Sequence, residues 1–98
     1  MKQYACKIEA DPNRYALCVP FDEIRNKPMQ NDVVHVRRIV NGRYEDTLRV
    51  VHIVGGQVRL IAEGQKGRDA FLNYPATNKG ETIEIKGLVV GYFNSTTF

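Results

Sequence analysis

The side chains able to do chemistry in this chain are few, and their spacing restricts what that chemistry can be. His35 and His52 need a third partner to hold a metal ion, and no spacing in the sequence supplies one. Both read as strand histidines on polar or half-buried faces, so no metal and no other cofactor is expected. Ser95 is the only serine. It falls in a tail-like stretch, where no rigid scaffold would hold its hydroxyl against a base. Cys18 is a nucleophile in principle, but no histidine or acid stands at a telling distance. Cys6 and Cys18 lack a C-x-x-C spacing. If Asp11-Pro12-Asn13 is a tight turn, the two cysteines face each other across a hairpin; in a reducing compartment they stay thiols, and their expected role is that of small core residues. Gly55-Gly56 reads as a hairpin turn, and no phosphate-cradling glycine loop occurs. Asn94-Ser95-Thr96 matches a glycosylation acceptor, which without a secretory signal reads as chance. No catalytic site assembles from this set.

The elements that must position these residues are strands. Short runs rich in Val, Ile, Tyr and Leu alternate with turn signals, and no stretch keeps a helical period for three turns. Strands are expected at 4–10 and 14–19, flanking the Asp-Pro-Asn turn. Another is expected at 32–40, ended by Asn41-Gly42, a pair suited to the positive φ of a tight hairpin. The next two, at 47–54 and 57–62, flank Gly55-Gly56. The last pair, 82–86 and 88–93, is separated by Gly87, read as a bulge or bend. Between Glu63 and Glu81 the signals are loop-like, with Phe71, Leu72 and Tyr74 tucking the excursion onto the sheet. The pattern predicts an all-β fold, a small β-barrel or folded sheet.

The bulk composition sets bounds. With 98 residues the chain is expected to be one domain, 1–98, with a single core, burying roughly 60–65% of its unfolded surface. Hydrophobic residues at 43% and charged residues at 26% argue against disorder. No apolar run approaches the ~20 residues of a membrane span, and Met1-Lys2-Gln3-Tyr4-Ala5-Cys6 lacks the apolar core of a signal peptide. The expectation is cytoplasmic, with no membrane partner. A net charge of +3, with basic residues scattered through Arg37-Arg38, Arg43, Arg49, Arg59, Lys66 and Arg68, reads as a solvated face.

Three blocks change the functional reading. Tyr15-Ala16-Leu17-Cys18-Val19, Phe21-Asp22-Glu23-Ile24 and Asn31-Asp32-Val33-Val34-His35-Val36 resemble, in order and spacing, the peptidase-like domain of LexA and phage repressors. That family reads roughly Tyr-Ala-Leu-x-Val, Gly-Asp-Ser-Met and Gly-Asp-x-Val-x-Val. Thr47-Leu48-Arg49-Val50-Val51 takes the place of its lysine-bearing strand. Val58 to Glu63 resembles the next strand, and Ile85-Lys86-Gly87-Leu88-Val89-Val90-Gly91 the closing one. The resemblance covers about residues 15–93.

Its chemistry does not carry over. In the family a serine attacks a peptide bond while a neutral lysine acts as its base. Glu23 stands at the serine position and Arg49 at the lysine position. A carboxylate replaces the hydroxyl, and arginine does not give up its proton near neutral pH. Phe21 replaces the family's glycine and Ile24 its methionine, and the Ala-Gly pair at which such proteins commonly cut themselves is absent. The resemblance therefore implies a pseudo-peptidase: a homodimerising domain of a phage- or prophage-type repressor. It would position helix-turn-helix domains on operator DNA, those domains lying outside this chain, and an antirepressor is a possible further partner. Val89, Val90, Tyr92 and Phe93 are the expected apolar part of the dimer interface, with 82–93 near the two-fold axis. Glu23 and Arg49 are expected to form an ion pair in the former dyad. The residues also admit two other readings: a small β-barrel binding nucleic acid directly through Arg37, Arg38, Arg59 and Tyr44, and an active hydrolase with unconventional residues.

Overall fold

The computed structural model describes residues 2–8, 11–62 and 71–94. Its elements are β1 (Tyr4–Ile8), β2 (Asp11–Pro20), the single-turn helix α1 (Phe21–Ile24), β3 (Val33–Val40), β4 (Arg43–Val54), β5 (Gln57–Ile61), β6 (Phe71–Tyr74) and β7 (Glu81–Asn94). The fold is all-β: one antiparallel seven-stranded sheet in the order β1-β2-β7-β3-β4-β5-β6, not closed into a barrel. The long β7 is the hinge of the topology, lying between β2 and β3.

Two hairpins form where the turn chemistry requires them. Val40 pairs with Arg43 around Asn41 (φ 52°) and Gly42 (φ 76°), and Val54 pairs with Gln57 around Gly55 (φ 59°) and Gly56 (φ 80°). Positive φ at both central residues gives the twist that antiparallel strands need. β4 consequently runs straight out of the first turn and starts at Arg43 rather than at Thr47.

The first hairpin differs from its expectation. Asp11-Pro12-Asn13 is the start of β2, not its turn: Ile8 already pairs with Asp11, and residues 9–10 lie outside the described residues. The turn-like composition has a local cause. Asp11 Oδ1 accepts a hydrogen bond from the Asn13 N–H at 3.1 Å, the habit that makes aspartate frequent in turns. Of the stretch expected to be loop, Phe71 to Tyr74 forms β6, an edge strand paired with β5, in which Leu72 is buried. β7 continues through Gly87, and its expected irregularity is a bulge: His35 pairs with Gly87 while Val36 pairs with Ile85.

One face of the sheet carries the core. Val19, Val34, Val36, Val51, Leu60, Leu72, Ile83 and Leu88 pack together with Phe21 of α1. The period-two alternation of β3 delivers Val34 and Val36 to that face and His35 and Arg37 to the other. Each fully buried aliphatic side chain contributes roughly 1.5–3 kcal/mol. Among the described residues no helix is long and apolar enough to cross a membrane.

Candidate functional site

The two positions of the supposed dyad are set apart. Glu23 is exposed on α1, whereas Arg49 is 3% exposed on the core face of β4. Arg49 donates from Nε to Thr47 Oγ1 at 3.1 Å and from Nη1 to the Leu60 carbonyl at 3.2 Å. Among the described residues no ion pair joins it to Glu23, so the expected Glu23–Arg49 pair is corrected. The physical reason lies in burial: the guanidinium is satisfied inside the sheet, while α1 directs Glu23 to water.

The segment between α1 and β3 is pinned by an acid that the sequence reading did not single out. Asp32 accepts two hydrogen bonds from Arg25, at 3.1 and 3.0 Å, and one from the Met29 N–H at 3.0 Å. Burial opposes its charge, but the hydrogen bonds from Arg25 and Met29 outweigh that cost and hold the carboxyl below its ordinary range. The Asn31 N–H donates to the Val51 carbonyl, and the Val51 N–H to the Asp32 carbonyl, tying the segment to β4.

The expected interface residues lie on the C-terminal half of β7. β3 pairs with β7 only as far as Leu88, whereas β2 accompanies it to Asn94. Among the described residues, no strand pairs with the other edge of β7 beyond Leu88. Val90 (51% exposed), Tyr92 (47%) and Phe93 (44%) stand on this extension, while Val89 is half-buried. Phe93 stacks on Tyr15 with ring centroids 5.5 Å apart, and the Arg14 guanidinium lies over the Tyr92 ring at 4.7 Å.

On the face opposite the core, side chains from four strands converge. Tyr4 lies opposite Cys18, and Cys6 opposite Ala16, which puts both cysteines on one side of the β1–β2 pair. The Cys18 thiol donates to Cys6 Sγ at 3.4 Å. The Tyr4 hydroxyl meets His35 Nδ1 at 2.8 Å, and the rings sit edge to face at 5.6 Å. His35 Nε2 lies 3.6 Å from Asp46 Oδ1, and Arg37 grips Asp46 through two bonds of 2.8 and 3.0 Å. With Nε2–H directed at Asp46, Nδ1 is free to accept from Tyr4. The cluster depends on Gly87, because a Cβ there would overlap the Tyr4 hydroxyl and approach the Val19 carbonyl to 3.1 Å.

The electrostatics of this cluster are uneven. Hydrogen bonding from Cys18 and from His35 lowers the Cys6 thiol, whereas its hydrogen bond to Cys6 and its burial push the Cys18 thiol up. His35 is raised, first by hydrogen bonding with Cys6 against the cost of burial, then by the charges of Cys6 and Asp46. The Arg37 hydrogen bonds, opposed by partial burial and helped by His35, lower Asp46. Burial raises the Tyr4 hydroxyl, which stays protonated and able to donate. The sequence brings Cys6 and Cys18 face to face only through a turn at Asp11-Pro12-Asn13, which is strand in the structure; they meet instead as diagonal neighbours, and no local motif announces the part of His35. A signal existed in the hairpin register: the two-residue Asn41-Gly42 turn places Arg37 opposite Asp46 and His35 two residues along on the same face.

The residues considered for nucleic-acid binding do not converge. Arg37 is held by Asp46 and lies over the Tyr44 ring at 4.4 Å; Arg38, on the other face, pairs with Glu81 at 2.6 Å; Arg59 packs over Phe71 at 5.1 Å. Among the described residues no group of three histidine, cysteine or acidic side chains is placed to hold a metal ion. His52 is exposed on β4, apart from the His35 cluster. Compared with protein-family models, with curated proteins and with solved structures, the chain matches none.

Proposed function

We propose that this chain is a non-catalytic assembly domain that pairs with a second copy of itself along the C-terminal half of β7. The observation that supports this reading most is the unpaired edge of β7 from Val89 to Asn94, which carries exposed Val90, Tyr92 and Phe93 and no charged side chain. The outer strands β1 and β6 are short, and β1 carries an exposed Lys7, features that discourage edge-to-edge pairing. An antiparallel strand edge is self-complementary about a two-fold axis, so a second copy fits it without further elements. In the context that the resemblance to repressor domains implies, two paired copies would hold DNA-binding domains on an operator. That context rests on the sequence motifs, and the absence of a Glu23–Arg49 ion pair removes one geometric argument for it.

Hydrogen exchange tests the edge. Raising the concentration of the full chain from low to high micromolar should slow exchange at the amides of 89–94 that face away from β2, and Val90→Lys should abolish the effect. Exchange there that does not depend on concentration would rule the edge out as the interface.

A further inference from the structure

We propose that Cys6 and Cys18 form a reversible dithiol site for small hydroperoxides, with Cys6 as the attacking sulfur and Cys18 as the resolving one. The proposal stands apart from the assembly reading, since its side chains belong to β1, β2, β3 and β4 and none to the unpaired edge of β7.

The geometry assigns the two roles. Cys6 lies on the edge strand β1 and is partly exposed, so a small oxidant reaches it; Cys18 is 0% exposed on β2, in contact with Cys6. Tyr4 of its own strand, Cys18 of β2, His35 of β3 and Asp46 of β4 interact with Cys6, while Arg37 of β3 is held by Asp46 and acts on Tyr4, with Glu84 of β7 acting on Arg37. A pair of thiols serving only as packing has no need of an imidazole backed by a carboxylate and a half-buried tyrosine hydroxyl. That surrounding favours the Cys6 thiolate, the reactive form.

The Cys6 thiolate attacks one peroxide oxygen, an S–O bond forms and the O–O bond breaks. The departing alkoxide takes up from solvent the proton that Cys6 released on ionising, leaving an alcohol and a Cys6 sulfenic acid. Cys18 sulfur then attacks the Cys6 sulfur: the S–S bond forms, the S–O bond breaks, and the hydroxide leaves as water with the Cys18 proton. Two thiols are oxidised by two electrons and one hydroperoxide is reduced to alcohol and water.

The register makes this bond a switch rather than a staple. Cys6 sits opposite Ala16 and Cys18 opposite Tyr4, so the cysteines are diagonal neighbours. Diagonal Cα separations of about 7–8 Å lie at or beyond the upper limit for a disulfide. β1 pairs with β2 alone and has room to shift, and a strained disulfide is the kind that thiols reduce readily.

The test is one equivalent of hydrogen peroxide on the reduced full chain at neutral pH, read by intact mass and peptide mapping. The expected product has lost two hydrogen atoms, maps to a Cys6–Cys18 crosslink within one chain, and returns to the starting mass with dithiothreitol. Cys18→Ala should stop at a Cys6 sulfenic acid that dimedone traps. His35→Gln should react several-fold more slowly, with its rate–pH profile moved to higher pH, a shift that a packing role would not produce. Oxygen found only on methionine with both thiols intact, or crosslinks only between chains, would overturn the proposal. If Cys18→Ala does not fold, the wild-type peptide map decides alone.

Discussion

Gly87 and Arg49 show how single residues shape this molecule. Gly87 leaves the space into which the Tyr4 hydroxyl reaches on its way to His35. Gly87→Ala should cost about 1–3 kcal/mol by overpacking, and Tyr4→Phe should recover part of that loss, because the overlapping atom is the phenol oxygen. A double-mutant cycle by urea denaturation checks this, and simple additivity would mean that the two residues do not share the space. Arg49 is buried with the Leu60 carbonyl as an acceptor. Arg49→Ala should destabilise the fold by about 2–4 kcal/mol, from the cavity and the acceptor left without its donor, measured by the same denaturation. Glu23→Ala, at an exposed position with no ion pair to Arg49, should change stability by less than about 0.5 kcal/mol. At this scale the sequence was a mixed guide. Its motifs marked position 49 as special, but they placed its partner on α1, whereas burial gave Arg49 to Thr47 and Leu60.

The strands were legible wherever turn chemistry and alternation coincided. Asn41-Gly42 and Gly55-Gly56 set two hairpins, and with them the registers of β3, β4 and β5. The Asp11-Pro12-Asn13 signal misled because Asp11 uses its turn-forming hydrogen bond inside the start of a strand. β6 looks like loop in the sequence because Phe71, Leu72 and Tyr74 are followed by Pro75 and a run of turn formers; only pairing with β5, a contact distant from local composition, makes it a strand. The convergence of Tyr4, Cys6, Cys18, His35 and Asp46 was hidden for a related reason. It requires β7 to bring β2 close to β3, and the sheet order that does so is not written in any local stretch. The pairing edge of β7 belongs to this scale as well. Because Val90 is exposed and is skipped in the pairing with β2, Val90→Lys should leave folding intact while weakening self-association at least tenfold, measured by the concentration dependence of gel-filtration elution.

Across the whole molecule, electrostatics and assembly set the behaviour in solution. Asp32 and Asp46 are both held below their ordinary values in the folded chain. A depressed carboxyl contributes stability that is fully present above its unfolded value, about 4, and is lost as the pH falls through the folded value. The thermal midpoint should therefore drop as the pH falls below about 4, and Asp32→Asn should lower the midpoint at neutral pH while flattening the acid loss. Pairing of two copies through β7 is decided by sedimentation equilibrium of the full chain up to high micromolar concentration. The chain should show a monomer–dimer equilibrium that shifts to dimer with concentration and is weakened by Val90→Lys; a single monomeric species across the whole range would rule the pairing out.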